Sequence, residues 1–185
     1  HLDFLGKIPG NVGGSLANNA GAFGRDMSSA VLWVEGFTLK GKFQRLQKNE
    51  INFSYRYCGL RGQFIILRVG FSRADRALKS VGLQDFNQYR KKTQPLRYPS
   101  AGCIFKNPAL GSAGQLIDSS GCKLMRCGAA EVSDLHANFI INRGEATAAS
   151  IRELVSRVRD RVYQTHGIRL ERELQYAHEA ILKVA

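Results

Sequence analysis

The chain has 185 residues, and 27 Lys+Arg against 15 Asp+Glu give it a formal net charge of +12. With 44% hydrophobic residues it can bury a real core, which excludes a disordered or low-complexity chain. No apolar run approaches the roughly 20 residues that cross a bilayer, and four cysteines are too few for a small disulfide scaffold. These features point to a soluble, cytoplasmic protein of one or two small domains, with free thiols, no membrane association and an anionic partner to match its charge. Leu2, Phe4, Leu5 and Ile8 form an apolar run with no polar lead-in, so the sequence is expected to begin inside a fold, with core surface left uncovered there.

In chain order, Ile8 to Ser15 reads as a loop because it is rich in Gly and Pro. Val31 to Leu39 is dense in β-formers, Lys40-Gly41 is a turn, and Lys42 to Leu46 returns as a hairpin. A further strand is expected at Phe64 to Val69. Residues 72 to 98 are polar and basic, with a short helix at Asp85 to Lys92 ended by Gln94-Pro95, and a domain boundary is placed between 77 and 78. Apolar runs at Cys103 to Phe105 and Ala137 to Ile141 flank a short helix, Ala113 to Ser120, stopped by Gly121. The clearest helix is Ala148 to His166. Its Ile151, Leu154, Val155, Val158 and Val162 share one face, Thr147 is placed to cap it and Gly167 to end it. Ile168, Leu170, Leu174 and Tyr176 then fall at alternate positions, the pattern of a half-buried strand whose polar side carries Glu171 and Glu173. The pattern as a whole is an α+β fold.

Several segments carry residue types suited to chemistry. Gly10-x-x-Gly13-Gly14 can bring backbone N–H groups close to a diphosphate, although it is neither a dinucleotide fingerprint nor a P-loop, and such a run is more often a plain turn. The second small-residue stretch, Asn18 to Gly24, lets two backbone segments clasp one ligand. In Phe53-Ser54-Tyr55-Arg56-Tyr57-Cys58 an arginine between tyrosines suits a carboxylate or phosphate, against the plain alternative of an exposed strand arginine. Arg90-Lys91-Lys92 with Arg97 is either a solvated helix face or an anion clamp. Ser100 to Pro108 offers a tight turn, a thiol at Cys103, an ammonium at Lys106 and an amide at Asn107. Cys122 and Cys127 lack the spacing of a zinc knuckle, so no metal is expected. His136 reads as a hydrogen-bonded structural histidine.

Taken in order, FLGKIPGNVGGSLANNAGAFG (Phe4 to Gly24), FSYR (Phe53 to Arg56), QPLRYPSAGCIFKNP (Gln94 to Pro108), VSDLHANFIIN (Val132 to Asn142) and LEREL (Leu170 to Leu174) resemble the UDP-N-acetylenolpyruvoylglucosamine reductase family, flavoenzymes of bacterial peptidoglycan precursor synthesis. The resemblance implies that residues 1–77 are the C-terminal part of a two-part FAD-binding domain whose first part is absent, and that 78–185 form a smaller α+β substrate-binding domain. It implies NADPH and FAD as cofactors and a nucleotide-sugar substrate; no nucleic-acid partner is expected, and the oligomeric state is left open, with a monomer favoured. A truncated homologue that binds a nucleotide-sugar without hydride transfer is the alternative; a nucleic-acid module has only the charge in its favour.

The same resemblance implies residue roles. Such reductases pass a hydride to the β-carbon of an enolpyruvyl ether while a protein acid protonates the α-carbon, and the enolate formed beside a carboxylate needs stabilisation that grows with its charge. Arg56 would neutralise the carboxylate and Glu173 assist at the enol. Cys103 stands where the family's proton donor is usually serine; a thiol, with an ordinary pKa of about 8.5, is the better acid. Ile8, Pro9, Gly13, Gly14, Asn19, Ala20, Gly21 and Phe23 correspond to flavin contacts, and Tyr55, Lys91, Lys106 and Asn107 to substrate contacts. The chain alone is expected not to be a competent flavoenzyme, with its later portion folding independently.

Overall fold

The computed structural model describes residues 2–6, 8–72, 83–177 and 179. The chain divides into two units, the first running to Gln88 and the second starting at Tyr89. The boundary expected at 77/78 lies outside the described residues.

The first unit opens with a 3-10 turn at Asp3–Leu5, and Phe4 is only 1% exposed, with the Arg25 guanidinium over its ring. The expectation that this apolar start leaves core surface bare therefore fails at Phe4, which the unit itself buries. The loop expected at Ile8 to Ser15 also gives way, because Val12–Ala17 is a helix, α1. Two glycines disfavour a helix, but the Asn11 side chain caps the Gly14 N–H at 2.7 Å and fully buried Leu16 anchors the opposite face. A small hairpin, β1 (Gly21–Ala22) and β2 (Arg25–Asp26), follows. Then β3 (Val31–Thr38), β4 (Phe43–Gln47) and the later β7 (Phe64–Phe71) make an antiparallel sheet in the order β4-β3-β7. The hairpin and the third strand are those expected from β-propensity. Between β4 and β7, β5 (Phe53–Ser54) and β6 (Tyr57–Cys58) form a second short hairpin. Leu16, Met27, Val31, Val34, Ile51, Cys58 and Leu60 form the core.

The helix α2 (Leu83–Thr93) reaches the second unit, where β8 (Ser100–Cys103), β9 (Arg126–Cys127), β10 (Ala130–Val132) and β11 (Phe139–Asn142) form an antiparallel sheet in the order β8-β11-β10-β9. The helices α3 (Ala113–Ser119) and α4 (Ala148–His166) pack together, and α4 lies on β9 and β10. The α4 bounds and both caps match the sequence expectation. Thr147 accepts from the Ser150 N–H at 3.1 Å, and Gly167 takes the left-handed conformation at φ 70°. Leu154, Val155, Val158 and Val162 are all buried, at a gross gain of about 1.5–3 kcal/mol per side chain.

The last expected strand is only partly a strand. Leu170 and Tyr176 are buried as the alternation requires, yet a single bridge, Phe105 to Arg172, joins the segment to the sheet. That bridge takes one bond on either side of Phe105, from the Lys106 N–H to the Glu171 carbonyl and from the Glu173 N–H to the Ile104 carbonyl, while the backbone groups of Phe105 itself turn the other way, the Asn138 side-chain amide accepting from its N–H at 2.9 Å and donating to its carbonyl at 2.8 Å. Mixed helix and sheet make the fold α+β.

Candidate functional site

In the first unit, the glycine-rich segment and Arg56 are built as one structure. The Asn19 side chain, 1% exposed, donates to the Ser54 carbonyl at 2.9 Å and to the Asp26 carboxylate at 3.0 Å, and accepts from the Ser28 N–H at 2.9 Å. It knots the loop after α1 to the hairpin that carries Arg56. A ligand can meet Asn19 only through its backbone, because the side-chain amide is engaged inside the protein. Arg56 donates from Nη2 to the Gly21 carbonyl at 3.0 Å, and its guanidinium lies 5.1 Å from the Tyr55 ring centroid. The plain reading of Arg56 as a strand residue is corrected: it sits in the turn between β5 and β6 at φ 56°.

That backbone conformation is informative. Four non-glycine residues have positive φ among those described: Asn19, Phe23, Arg56 and Leu124. Three of them are residues that the sequence singled out, and left-handed side-chain-bearing residues are retained where a site needs a particular direction of approach. Gly21 is fixed by packing, since a Cβ there would lie 2.4 Å from the Arg25 carbonyl oxygen. Gly10 and Gly24 instead face open space, and Gly13 and Gly14 meet only the Asn11 amide, so a ligand can approach this backbone unobstructed. Phe23 is exposed, with its ring 4.3 Å from that of Phe86; Ile8 and Ala20 are half-buried and Pro9 is exposed. The concavity in this unit, lined by Ser28, Leu32, Lys48 and Phe53 among others, includes none of the expected site residues.

In the second unit, backbone pairing brings Cys103 and Glu173 onto neighbouring segments. The Ile104 carbonyl accepts from the N–H groups of both Glu173 (2.8 Å) and Leu174 (3.1 Å), and the Lys106 N–H donates to the Glu171 carbonyl at 2.8 Å. Cys103 ends β8 directly after Gly102, whose φ of 80° falls where the register of β8 with β11 shifts, and is half-buried. The Lys106 ammonium, 24% exposed, pairs with the more exposed Glu171 carboxylate at 2.5 Å. Asn107 has a structural duty that its sequence position did not disclose, accepting from the Ala113 N–H at 3.0 Å to start α3. Lys91 is exposed on the last turn of α2. Its neighbour Arg90 is the better placed of the two. Burial pushes its guanidinium pKa down while the charge of Cys103 opposes that shift, and Nε is held by Gln94 Oε1 at 3.1 Å. The basic run marked this region but not which of its members turns toward Cys103.

Over 177 residues, 94% of its length, the chain is 42% identical to UDP-N-acetylenolpyruvoylglucosamine reductase 2 of Symbiobacterium thermophilum. It is also 42% identical over 178 residues to the UDP-N-acetylenolpyruvoylglucosamine reductase of Heliobacterium modesticaldum. The chain is similar to UDP-N-acetylenolpyruvoylglucosamine reductases. It covers 58% and 57% of those two relatives, so it spans a little over half of their length. The family model for the C-terminal domain of UDP-N-acetylenolpyruvoylglucosamine reductase matches residues 94–177. The crystal structure of UDP-N-acetylenolpyruvylglucosamine reductase from Thermus caldophilus superposes with a TM-score of 0.77 at 37% identity, over 95% of this chain and 63% of that one.

Other polar groups in this chain serve the fold. Glu131 is fully buried between Arg126 and Arg143; burial pushes its carboxyl pKa up, but the hydrogen bonds from Arg143 and Arg126 outweigh this and hold it below the ordinary glutamate range. His136 fits the structural reading, since Nδ1 accepts from the Asn138 N–H at 3.3 Å and burial lowers its pKa. Burial raises the thiol pKa of Cys58 and Cys122. Among the described residues no helix is long and apolar enough to cross a membrane, and no group of three or more His, Cys, Asp or Glu side chains could hold a metal ion.

Proposed function

We propose that the polypeptide carrying this sequence is an NADPH-dependent, FAD-containing reductase that converts UDP-N-acetylglucosamine enolpyruvate to UDP-N-acetylmuramate in the cytoplasm. The observation that carries the proposal is the backbone pairing of the segment that follows Cys103 with the segment that bears Glu173, through the Ile104 carbonyl. The knot of Asn19, Ser54, Arg56 and Gly21 in the first unit supports it.

The backbone at Gly10 and Gly24, where an added Cβ would meet nothing, and at Gly13 and Gly14, where it would meet only the Asn11 amide, supports a bulky anionic cofactor lying close to this loop. Ile8, Pro9, Gly13, Gly14, Ala20, Gly21 and Phe23 would hold FAD, with Asn19 acting through its backbone. When bound, FAD supplies the hydride that reaches the β-carbon of the enolpyruvyl group. Arg56 is fixed by the Gly21 carbonyl, and its planar fork suits a carboxylate, a bidentate match that a lysine cannot supply. The Cys103 Sγ–H gives its proton to the α-carbon, completing reduction of the double bond, and the thiolate left behind is reprotonated by solvent. The guanidinium of Arg90 favours that thiolate, and Glu173 hydrogen-bonds the developing enol oxygen. Tyr55, Lys106 and Asn107 meet the nucleotide-sugar, and Lys91 lends positive charge near its phosphates.

The test is a full-length protein containing these residues. It should purify yellow, bleach with NADPH and regain colour when the enolpyruvyl substrate is added. A colourless protein that takes up no added FAD but binds the nucleotide-sugar would replace this reading with that of a non-catalytic binding protein.

A further inference from the structure

The segment bearing Glu173 has few backbone bonds of its own: a single bridge, Phe105 to Arg172, and the bonds to the Ile104 carbonyl and from the Lys106 N–H join it to 104–106. Beyond Glu173 the chain is held differently, through side chains. Tyr176 is buried, with the Arg172 guanidinium 4.3 Å and the Arg152 guanidinium 4.8 Å from its ring centroid. Arg152 projects from α4, which is capped at both ends and packed on the sheet. Arg172 is in turn paired with the carboxylate of Glu179, and the Glu179 N–H donates to the Tyr176 carbonyl at 3.0 Å. Cations over aromatic faces are attracted by the ring quadrupole, and the attraction strengthens with burial. Arg152 thus ties the chain three residues beyond Glu173 to a rigid helix, while Arg172, the residue just before Glu173, grips the same ring.

We propose that Tyr176, held between Arg152 and Arg172, is a positioning residue that fixes the backbone of Glu173 against Ile104. The proposal rests on the reading that Glu173 acts on the substrate. Its physical core, the immobilisation of residues 172–174 by the ring, can be measured without that reading.

Amide hydrogen exchange on the 185-residue chain gives the direct test. In Tyr176→Ala the Glu173 and Leu174 amides, which bond the Ile104 carbonyl, should exchange about tenfold faster or more, while the Ile151 to Val162 amides of α4 keep their protection. Tyr176→Phe should match the parent, and Tyr176→Leu, which keeps apolar volume but no ring, should resemble Tyr176→Ala. In the full-length reductase the same ranking is expected in kcat for enolpyruvyl reduction, with flavin bleaching by NADPH unchanged. Unchanged exchange in Tyr176→Ala, full recovery in Tyr176→Leu, or loss of protection throughout α4 would each overturn the proposal. If Glu173→Gln leaves reduction unaffected while the exchange ranking holds, the role assigned to Glu173 fails and the grip on its backbone stands.

Discussion

Replacing Asn19 by Ala tests whether this residue is a structural knot rather than a ligand contact. The side chain makes three hydrogen bonds, to Ser54, Asp26 and Ser28, and is almost wholly buried. Each bond contributes about 1 kcal/mol net, and its loss leaves the Ser28 N–H and the Ser54 carbonyl short of a partner in a partly buried place. Asn19 also holds φ at 42°, a conformation that asparagine tolerates and alanine does not. The sum is a loss of about 3–4 kcal/mol from the first unit. Urea unfolding of the 185-residue chain, followed by the fluorescence of the sole tryptophan, Trp33 on β3, reports on that unit. In a full-length reductase the same change should raise KM for the enolpyruvyl substrate, because Ser54 sits two residues before Arg56. A loss below about 0.5 kcal/mol would refute the knot, since it would mean that the three bonds are replaced by water at no cost.

Three further outcomes concern other residues. Arg56→Lys keeps the charge but loses the fork and the bond to Gly21, so kcat/KM for the enolpyruvyl substrate should fall about 100-fold; a near-parental value would make Arg56 a surface residue. Glu131→Gln should cost the second unit about 1–3 kcal/mol at neutral pH, measured by denaturation. Because the folded Glu131 pKa lies below its unfolded value, its contribution is complete above about pH 4.3 and vanishes as pH falls through the lower folded value, so the variant should lose less stability on acidification than the parent. Leu124, 55% exposed at φ 63°, should gain up to about 1 kcal/mol when replaced by Gly, because relief of left-handed strain exceeds glycine's entropy cost; a lower melting temperature would contradict this.

The sequence was most legible where local rules decide structure. Thr147, the apolar face of α4 and Gly167 lie within one stretch of chain, and so define that helix without reference to anything distant. The β3–β4 hairpin was readable for the same reason. The helix α1 was not, because Gly13 and Gly14 argue against it and only the Asn11 cap and the burial of Leu16 reverse the balance. Long-range side-chain bonds were invisible. Asn138 bonds both backbone groups of Phe105 from 33 residues away, and Glu131 is buried only because Arg126 and Arg143 converge on it. The candidate site divides along the same line: its residue types stood in the motifs, whereas the turn conformation of Arg56, the engagement of the Asn19 amide and the approach of Arg90 to Cys103 arise only once the chain is folded.

The central claim, that Cys103 delivers the proton, is tested most directly by single-turnover reoxidation of the NADPH-reduced, full-length flavoprotein with the enolpyruvyl substrate. Cys103→Ser should reoxidise within about tenfold of the parent, since a hydroxyl can occupy the thiol's place, and Cys103→Ala should be slower by about 100-fold or more, with bleaching by NADPH unchanged in both. Reoxidation of Cys103→Ala at the parental rate would contradict the account.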